Sequence, residues 1–324
     1  MVKKFLFALT AVVLLCAFGV FATGCTSTDF GKQISPDWGV TDTSETFTYD
    51  VLLNNMAYGN LTTCVRKIYK AEDLNVKTVD SGAVSTKVIS VKEGYSVITG
   101  KIDFYESGAL YGDNLEYIAV VDKLLRPVYA FKTLTSDKYN AMHAGDEKFT
   151  PAVNYTYSID YSYENSEFKK ATYTYLEQDK DAKTGEITSK ANYYFDNDSL
   201  IFVLRSLPIT KMNSSFSYDV FNVKDGTATA LYSSFTSKQS LSDVPYFNNE
   251  AVSAVRCNIT LSRDIAGKSI QVFYSNEDIT LTGLEYDDNG TIKTKDVLIT
   301  KAPVKIIEST MTYVLRSVTA TPRP

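Results

Sequence analysis

His143 is the only histidine in the chain, set among small residues in Ala141-Met142-His143-Ala144-Gly145. Hydrolysis of the Ser–His–Asp kind needs a base beside its nucleophile, and zinc sites draw on several imidazoles or thiolates. A lone His in a loop-like context supports neither and reads as a surface residue. The sequence contains no Gly-x-Ser-x-Gly, phosphate loop or dinucleotide fingerprint. Its 38 Asp and Glu include many pairs, but none stands out as the acid–base couple of a glycosidase. Asp179-x-Asp181 with Gly185-Glu186 comes nearest to a calcium loop, yet its spacing departs from the EF-hand pattern and suits a solvated hairpin loop. Asp287-Asp288-Asn289-Gly290 reads as turn chemistry. The expectation is a protein with no catalytic residue, no metal and no cofactor.

The remaining reactive side chains are cysteines. Cys16 lies inside an apolar run from Phe5 to Phe21, preceded by Lys3 and Lys4. Ala22-Thr23-Gly24-Cys25 ends that run. A basic start, an apolar middle and a small-residue exit mark a secretory signal. With the cysteine directly after the small residues, the segment resembles a bacterial lipoprotein signal peptide, although Ala22 stands where that family usually carries Leu. The resemblance implies that residues 1–24 are removed and that Cys25 is lipidated, anchoring the protein to a membrane through its acyl chains. Thr26 in place of Asp resembles the outer-membrane default of a two-membrane envelope. In a one-membrane cell the protein would sit on the outer face of the plasma membrane. Cys64 and Cys257 remain. An exported protein can form disulfides, so these two are the candidate pair, but two separate buried thiols are the expected state.

Composition narrows the class. The formal charge is −5, and residues 1–24 contribute Lys3 and Lys4 but no acid. A mildly acidic chain is a poor partner for nucleic acid or for anionic headgroups. The 23 Tyr and 17 Phe stand against one Trp, in a sequence rich in Thr, Val and Ile. These residues favour pleated, half-buried surfaces.

The pattern along the chain is that of an all-β protein. Residues 25–45 read as the lipidated Cys and a flexible tether, 46–318 as a single β domain and 319–324 as a frayed tail. Strands are expected at Thr46 to Leu53, Val84 to Val91, Tyr95 to Tyr105, Tyr117 to Val121 and Pro127 to Thr133. The clearest hairpin follows: Tyr155, Tyr157, Ile159, Tyr161 and Tyr163 share one parity, polar residues share the other, and residues 164–167 turn the chain into Phe168 to Leu176. A charged loop is expected at 179–186 and a strand at 187–195. Asp196-Asn197-Asp198-Ser199 then offers helix caps before Leu200 to Arg205, with Pro208 as the stop. Such a helix is apolar nearly all round and must be buried; the other reading is a short core strand, since branched and aromatic residues also suit a strand. Further strands are expected at 216–223, 227–234, 252–261, 269–274, 279–286, 291–300 and 304–317, with a loop at 237–249. Phe47-Thr48-Tyr49-Asp50-Val51 echoes Phe216-Ser217-Tyr218-Asp219-Val220, which suggests two similar halves.

Several motifs recur in one order: Tyr49-Asp50-Val51 with Gly59, Tyr194-Phe195-Asp196, Leu204-Arg205-Ser206-Leu207-Pro208, Phe216 to Val220, Val255-Arg256-Cys257-Asn258-Ile259 and Ala302-Pro303-Val304-Lys305-Ile306. Together they resemble an uncharacterised family of bacterial envelope proteins known only as a domain of unknown function. Gln271 to Asp278 keeps that family's aromatics and Asp but lacks its Trp. The resemblance implies a large curled antiparallel sheet around one short helix, similar to the half-barrels of LolA- and LolB-type lipoprotein carriers. The function expected is a lipid-anchored envelope protein, non-catalytic, holding an acyl chain or lipid on the concave face. Phe202, Leu204, Tyr155, Tyr157, Tyr161 and Tyr163 are its candidate lining. The other expectation is a structural or adhesive protein that contacts envelope protein or glycan through exposed Tyr faces.

Overall fold

The computed structural model describes residues 28–29, 43–165, 167–188, 194–195, 197–207, 215–222, 227–235, 239–246, 250–261, 269–286, 292–308 and 310–322. Residues 1–24, Cys25, Pro208 and the turns at 225–226 and 287–290 lie outside them. In chain order the strands begin with Thr28–Asp29 (β1), Thr43–Leu53 (β2) and Met56–Lys67 (β3). A separate hairpin follows, Glu72–Asp80 (β4) and Ala83–Val91 (β5). Then come Ser96–Phe104 (β6), Asn114–Val121 (β7), Pro127–Thr135 (β8), the helix Asp137–Met142 (α1), Tyr155–Glu164 (β9), Glu167–Glu177 (β10) and Lys183–Ile187 (β11). Tyr194–Phe195 (β12) leads into the helix Asn197–Val203 (α2), extended by a 3₁₀ turn at Leu204–Ser206. Ser215–Asn222 (β13), Thr227–Phe235 (β14), Gln239–Tyr246 (β15), Glu250–Leu261 (β16) and Ser269–Ser275 (β17) precede a second separate hairpin, Ile279–Tyr286 (β18) and Ile292–Ile299 (β19). Pro303–Glu308 (β20) and Met311–Pro322 (β21) end the chain.

Seventeen of these strands form one sheet. Pairing runs β11-β10-β9-β8-β7-β6-β3-β2-β21-β20-β17-β16-β14-β13, and β15 also joins β16. All of these pairs are antiparallel; only the short β1 and β12 run parallel to β13. Among the described residues no ladder joins β11 to the far edge, so the sheet is open. It consists of two meanders laid side by side. The first starts at β2, the second at β13, and the last strand, β21, returns to pair β2. The two Phe-x-Tyr-Asp-Val segments therefore open the two meanders.

Alternation along each strand divides the sheet into two faces. On β2, Glu45, Phe47, Tyr49 and Val51 are buried on the inner face, while Thr46, Thr48 and Asp50 are half-buried on the other. The inner face carries α2 and the largest apolar cluster, which joins Phe47, Tyr49, Val51, Leu61 and Tyr117 to Leu200, Phe202, Val203 and Leu204. The β4–β5 hairpin covers the outer face at β6 to β10, setting Val76, Val79 and Val91 against Tyr129 and Phe131. Polar side chains fasten it: Thr78 Oγ1 donates to Ser158 Oγ at 3.2 Å, and Lys87 Nζ meets Asp160 at 2.6 Å. The polar parity of β9 thus faces a second protein layer.

Several boundaries differ from those expected. The segment expected as one strand from 304 to 317 is two, reversing between Glu308 and Met311, which pair. Residues 319–322 of the supposed tail are strand: Thr43 pairs Pro322. Lys183–Ile187 is a strand that takes in the last four residues of the expected charged loop, and Gln239–Tyr246 is a strand where a loop was expected. Cys64 and Cys257 are both free. They lie on opposite faces, since Cys64 pairs Thr46 on the outer face while Cys257 is buried with the inner-face residues Ile259 and Val272. A disulfide between them is excluded by that geometry.

One glycine is required by packing on the inner face. A Cβ on Gly100 would lie 2.1 Å from the ring of Tyr117, its cross-strand partner. Tyr117 Oη lies 3.1 Å from Thr63 Oγ1, which holds the ring over the glycine. Gly100→Ala is expected to lower the urea midpoint by the equivalent of about 1–3 kcal/mol. In the Tyr117→Ala background the same change should cost measurably less, because the clash is gone.

Candidate functional site

The inner face is built from lateral rows of registered residues. One row runs Glu45–Val65–Ile98–Ala119–Ala130–Ile159–Tyr173–Gly185. A second runs Phe47–Thr63–Gly100–Tyr117–Lys132–Tyr157–Tyr175–Lys183. Each row begins under α2 and ends among tyrosines.

At the helix end the face is sealed. Leu200, Phe202, Val203 and Leu204 are at most 1% exposed. The Phe202 ring lies 5.6 Å from that of Phe47, and Tyr274 Oη donates to the Ile201 carbonyl at 2.6 Å. Arg205 follows and is also fully buried. Its Nη1 meets Glu45 Oε2 at 2.5 Å and its Nη2 meets Glu45 Oε1 at 3.3 Å. Nε and Nη2 donate to the Thr300 carbonyl at 3.1 and 2.8 Å. The guanidinium also sits 5.4 Å from the Phe47 ring centroid. Lys301 Nζ closes the helix exit by donating to the Arg205 and Leu207 carbonyls at 3.0 and 2.7 Å. A cation at a helix C-terminus satisfies carbonyls that have no partner within the helix. Burial lowers the Lys301 pKa, and the Arg205 charge lowers it further.

At the other end the tyrosines pack on one another. Tyr155 stacks on Tyr157 at 5.9 Å and on Tyr175 at 6.0 Å. Tyr157, Ile159, Tyr161, Phe168, Ala171 and Tyr175 form a buried cluster, with Tyr155, Tyr163 and Tyr173 half-buried around it. Tyr163 Oη donates to the Pro127 carbonyl at 2.8 Å, and the Arg126 guanidinium lies 4.5 Å from its ring centroid. The ring of Tyr173 covers Gly185. The six candidate lining residues therefore share one face but fall into two groups: Phe202 and Leu204 in the sealed helix end, and the four tyrosines in the other cluster. Phe202 and Leu204 present no surface to a ligand while α2 is in place. Glu45 and Arg205 escaped the sequence reading, although each is a charge at a core position of an apolar element.

The other candidates stand apart from this face. His143 caps α1, its Nδ1 is 2.9 Å from the Tyr139 carbonyl, and its ring packs between Tyr139 and Phe149 at 4.5 and 4.9 Å. Asp179 and Asp181 line an open groove of about 670 Å³ between the β10–β11 loop and Gly82. Among the described residues no group of three or more His, Cys, Asp or Glu is placed to hold a metal ion.

No family model and no curated protein matches this chain. One similar solved structure is a β-barrel-like protein of the domain of unknown function DUF1849 from Brucella abortus. It is 9% identical, the match covers 87% of this chain and 99% of that one, and the TM-score is 0.32.

Two measurements probe the sealed end. Arg205→Met leaves Glu45 buried without its partner and is expected to cost about 3–5 kcal/mol in urea unfolding. Glu45→Leu combined with Arg205→Met should recover much of that loss. Tyr49, whose hydroxyl is buried without a hydrogen-bond partner, has its pKa raised by burial, as does Tyr129. The folded state keeps protons that the unfolded state releases, so stability is full below about pH 10 and falls as pH rises through the folded pKa values. Urea midpoints at pH 9 and pH 11 should show that decline, and ultraviolet titration should show these two phenolates ionising only with unfolding.

Proposed function

We propose that this chain is a lipid-anchored, non-catalytic protein of the bacterial cell envelope that binds an apolar ligand of the acyl-chain or lipid type. The ligand lies on the tyrosine end of the inner face, against Tyr155, Tyr157, Tyr161 and Tyr163. The observation that carries this reading is the division of one continuous face. Its helix end is sealed by α2 and the Glu45–Arg205 pair, whereas its tyrosine end lies beside an open sheet edge and grades from buried Ile159 to half-buried Tyr155. Phe202 and Leu204 act in this reading as the plug that closes the helix end.

The sequence supports the address. The basic start, apolar run and small residues before Cys25 resemble a lipoprotein signal, which would place the domain in the outer membrane of a two-membrane cell or on the outer face of a one-membrane cell. From Cys25 to β1 at Thr28, which pairs with β13 in the sheet, an extended chain spans at most about 11 Å. Membrane lipid is then within reach of the fold. The half-barrel of the LolA and LolB type is the architecture this reading invokes, with an acyl chain as cargo.

Native mass spectrometry of the purified chain, with organic extraction of the same sample, tests the proposal. An acyl species should co-purify, and Tyr155→Ala with Tyr163→Ala should reduce its occupancy several-fold while the fold is kept. Absence of any acyl species, together with no uptake of a fluorescent fatty-acyl probe by the delipidated chain, overturns it.

A further inference from the structure

The short strand β1 fixes the rim of the sheet at which the chain enters. Thr28 pairs Phe216, and from there one registered row crosses β14, β16, β17 and β20 to Met311 on β21 and Leu53 on β2. In each strand the row passes within two residues of an end, so β1 lies on the same rim as the turns at 54–55 and 309–310. Cys25 precedes Thr28 by three residues, and an extended chain of that length keeps it within about 11 Å of β1.

The rim is one connected surface from β2 to α1. The Tyr105 N–H donates to the Tyr58 carbonyl at 2.9 Å, which sets the 105–113 loop against the start of β3. Asp113 accepts from the backbone N–H groups of Lys138 and Tyr139, each at 2.8 Å, which fixes α1 to that loop. Tyr139 Oη lies 2.6 Å from Thr310 Oγ1 and joins α1 to the β20–β21 turn. Three of the large apolar side chains exposed among the described residues stand on this surface: Met56 at 59%, Tyr111 at 53% and Met142 at 40%. Single exposed apolar residues are ordinary, but three on linked turns, at the end from which an acyl anchor departs, have a bilayer before them. Methionine is flexible and apolar, and tyrosine suits the headgroup level. The exposed charges of the same loops, Glu106, Asp137, Asp146 and Glu147 against Lys138 and Lys148, leave the rim acidic. Attraction to anionic headgroups is therefore not what holds it.

We infer that this rim is a membrane-contact surface. Met56, Tyr111 and Met142 enter the headgroup region of a zwitterionic bilayer and form a second attachment beside the acyl chains of Cys25. This rests on the lipid-anchored reading and deepens it, because it names the face turned to the membrane. Two attachments restrain an orientation that a single anchor leaves free, and a shallow apolar contact adds to the hold of the acyl chains. Tyr155, the first residue of β9, stands on this rim too, across from Leu134 one residue before the end of β8. The tyrosine end of the inner face then borders the lipid.

Fluorescence quenching tests the orientation. The full chain, extracted from membranes in detergent, is reconstituted in phosphatidylcholine vesicles, and the signal of the unsubstituted chain with its Trp38 is subtracted. Tyr111→Trp and Met142→Trp are each expected to be quenched several-fold more by acyl-brominated phosphatidylcholine than Leu124→Trp. Leu124 is also exposed but stands at the opposite rim, roughly 27 Å away along β8. Replacing Met56, Tyr111 and Met142 together by Ser should raise the fraction of chain released from the vesicles by about tenfold. All three are exposed, so the urea midpoint should stay unchanged; should it fall, the single tryptophan variants decide. The mass of the N-terminal peptide reports acylation of Cys25 separately. Acylated Cys25 with the two rim positions quenched no more than Leu124→Trp overturns the rim assignment and leaves the anchor standing. Quenching at the rim without acylation supports the rim and overturns the anchor. Quenching that requires phosphatidylglycerol and is lost at high salt overturns the apolar contact. Absence of both acylation and vesicle association overturns both readings.

Discussion

A fully buried guanidinium organises the centre of this fold. Arg205 ends an otherwise apolar helix segment and reaches no water. Its charge must be met inside the protein, and it is met by Glu45 near the start of β2 and by the carbonyl of Thr300 at the foot of the β18–β19 hairpin. Those partners are 160 and 95 residues away in sequence. One side chain therefore ties together the first long strand of the sheet, the inner helix and the return towards β20 and β21. A buried ion pair of this kind is not a large net source of stability, because desolvation consumes most of the attraction. It supplies register. A slip of β2 by one residue would send Glu45 to the outer face and leave Arg205 unpaired.

Long-range closure follows from that anchor. With β2 held by the helix, β21 can pair along its whole length, from Thr43–Pro322 to Leu53–Met311. The first meander then spreads from β2 to one side, and the second ends on β21 from the other. Both faces need cover near the centre. The inner face receives α2, while the outer face receives the β4–β5 hairpin, which brings its own ion pairs, Lys77–Glu116 and Lys87–Asp160. These pairs are partly exposed and contribute little energy. They orient the hairpin, and the apolar contacts of Val76, Val79 and Val91 with Tyr129 and Phe131 do the holding.

Strand periodicity made much of this legible in the sequence. The Tyr155 to Tyr163 alternation is an inner-face row as expected, and the apolar run after Ser199 is a buried helix. What was not legible has physical causes. The hairpin covering β9 could not be read from β9, because Ser158 and Asp160 look equally at home in water and under a polar-rimmed layer. The reversal between Glu308 and Met311 passed unseen because Ser309 and Thr310 bear none of the Gly, Pro or Asn that usually mark a turn. Gln239–Tyr246 reads as a loop by composition, yet backbone pairing with β16 makes it strand. Glu45 carried an available signal: it shares the parity of Phe47, Tyr49 and Val51. A lone acid on a core stripe demands a buried cation, and Arg205, in the helix expected to be buried, was the one that could supply it.

The same reasoning separates the two ends of the inner face. At the helix end, among the described residues, Glu45, Arg205 and Lys301 each have a protein partner in place, whereas the hydroxyl of Tyr49 has none. At the tyrosine end the side chains are large and stacked, with Tyr155, Tyr163 and Tyr173 half-buried around the buried cluster. Stacked rings can slide apart at small cost, since each contact is weak and non-directional, whereas parting Glu45 from Arg205 would strand two charges. The binding reading proposed for the tyrosine end depends on that difference between the two ends.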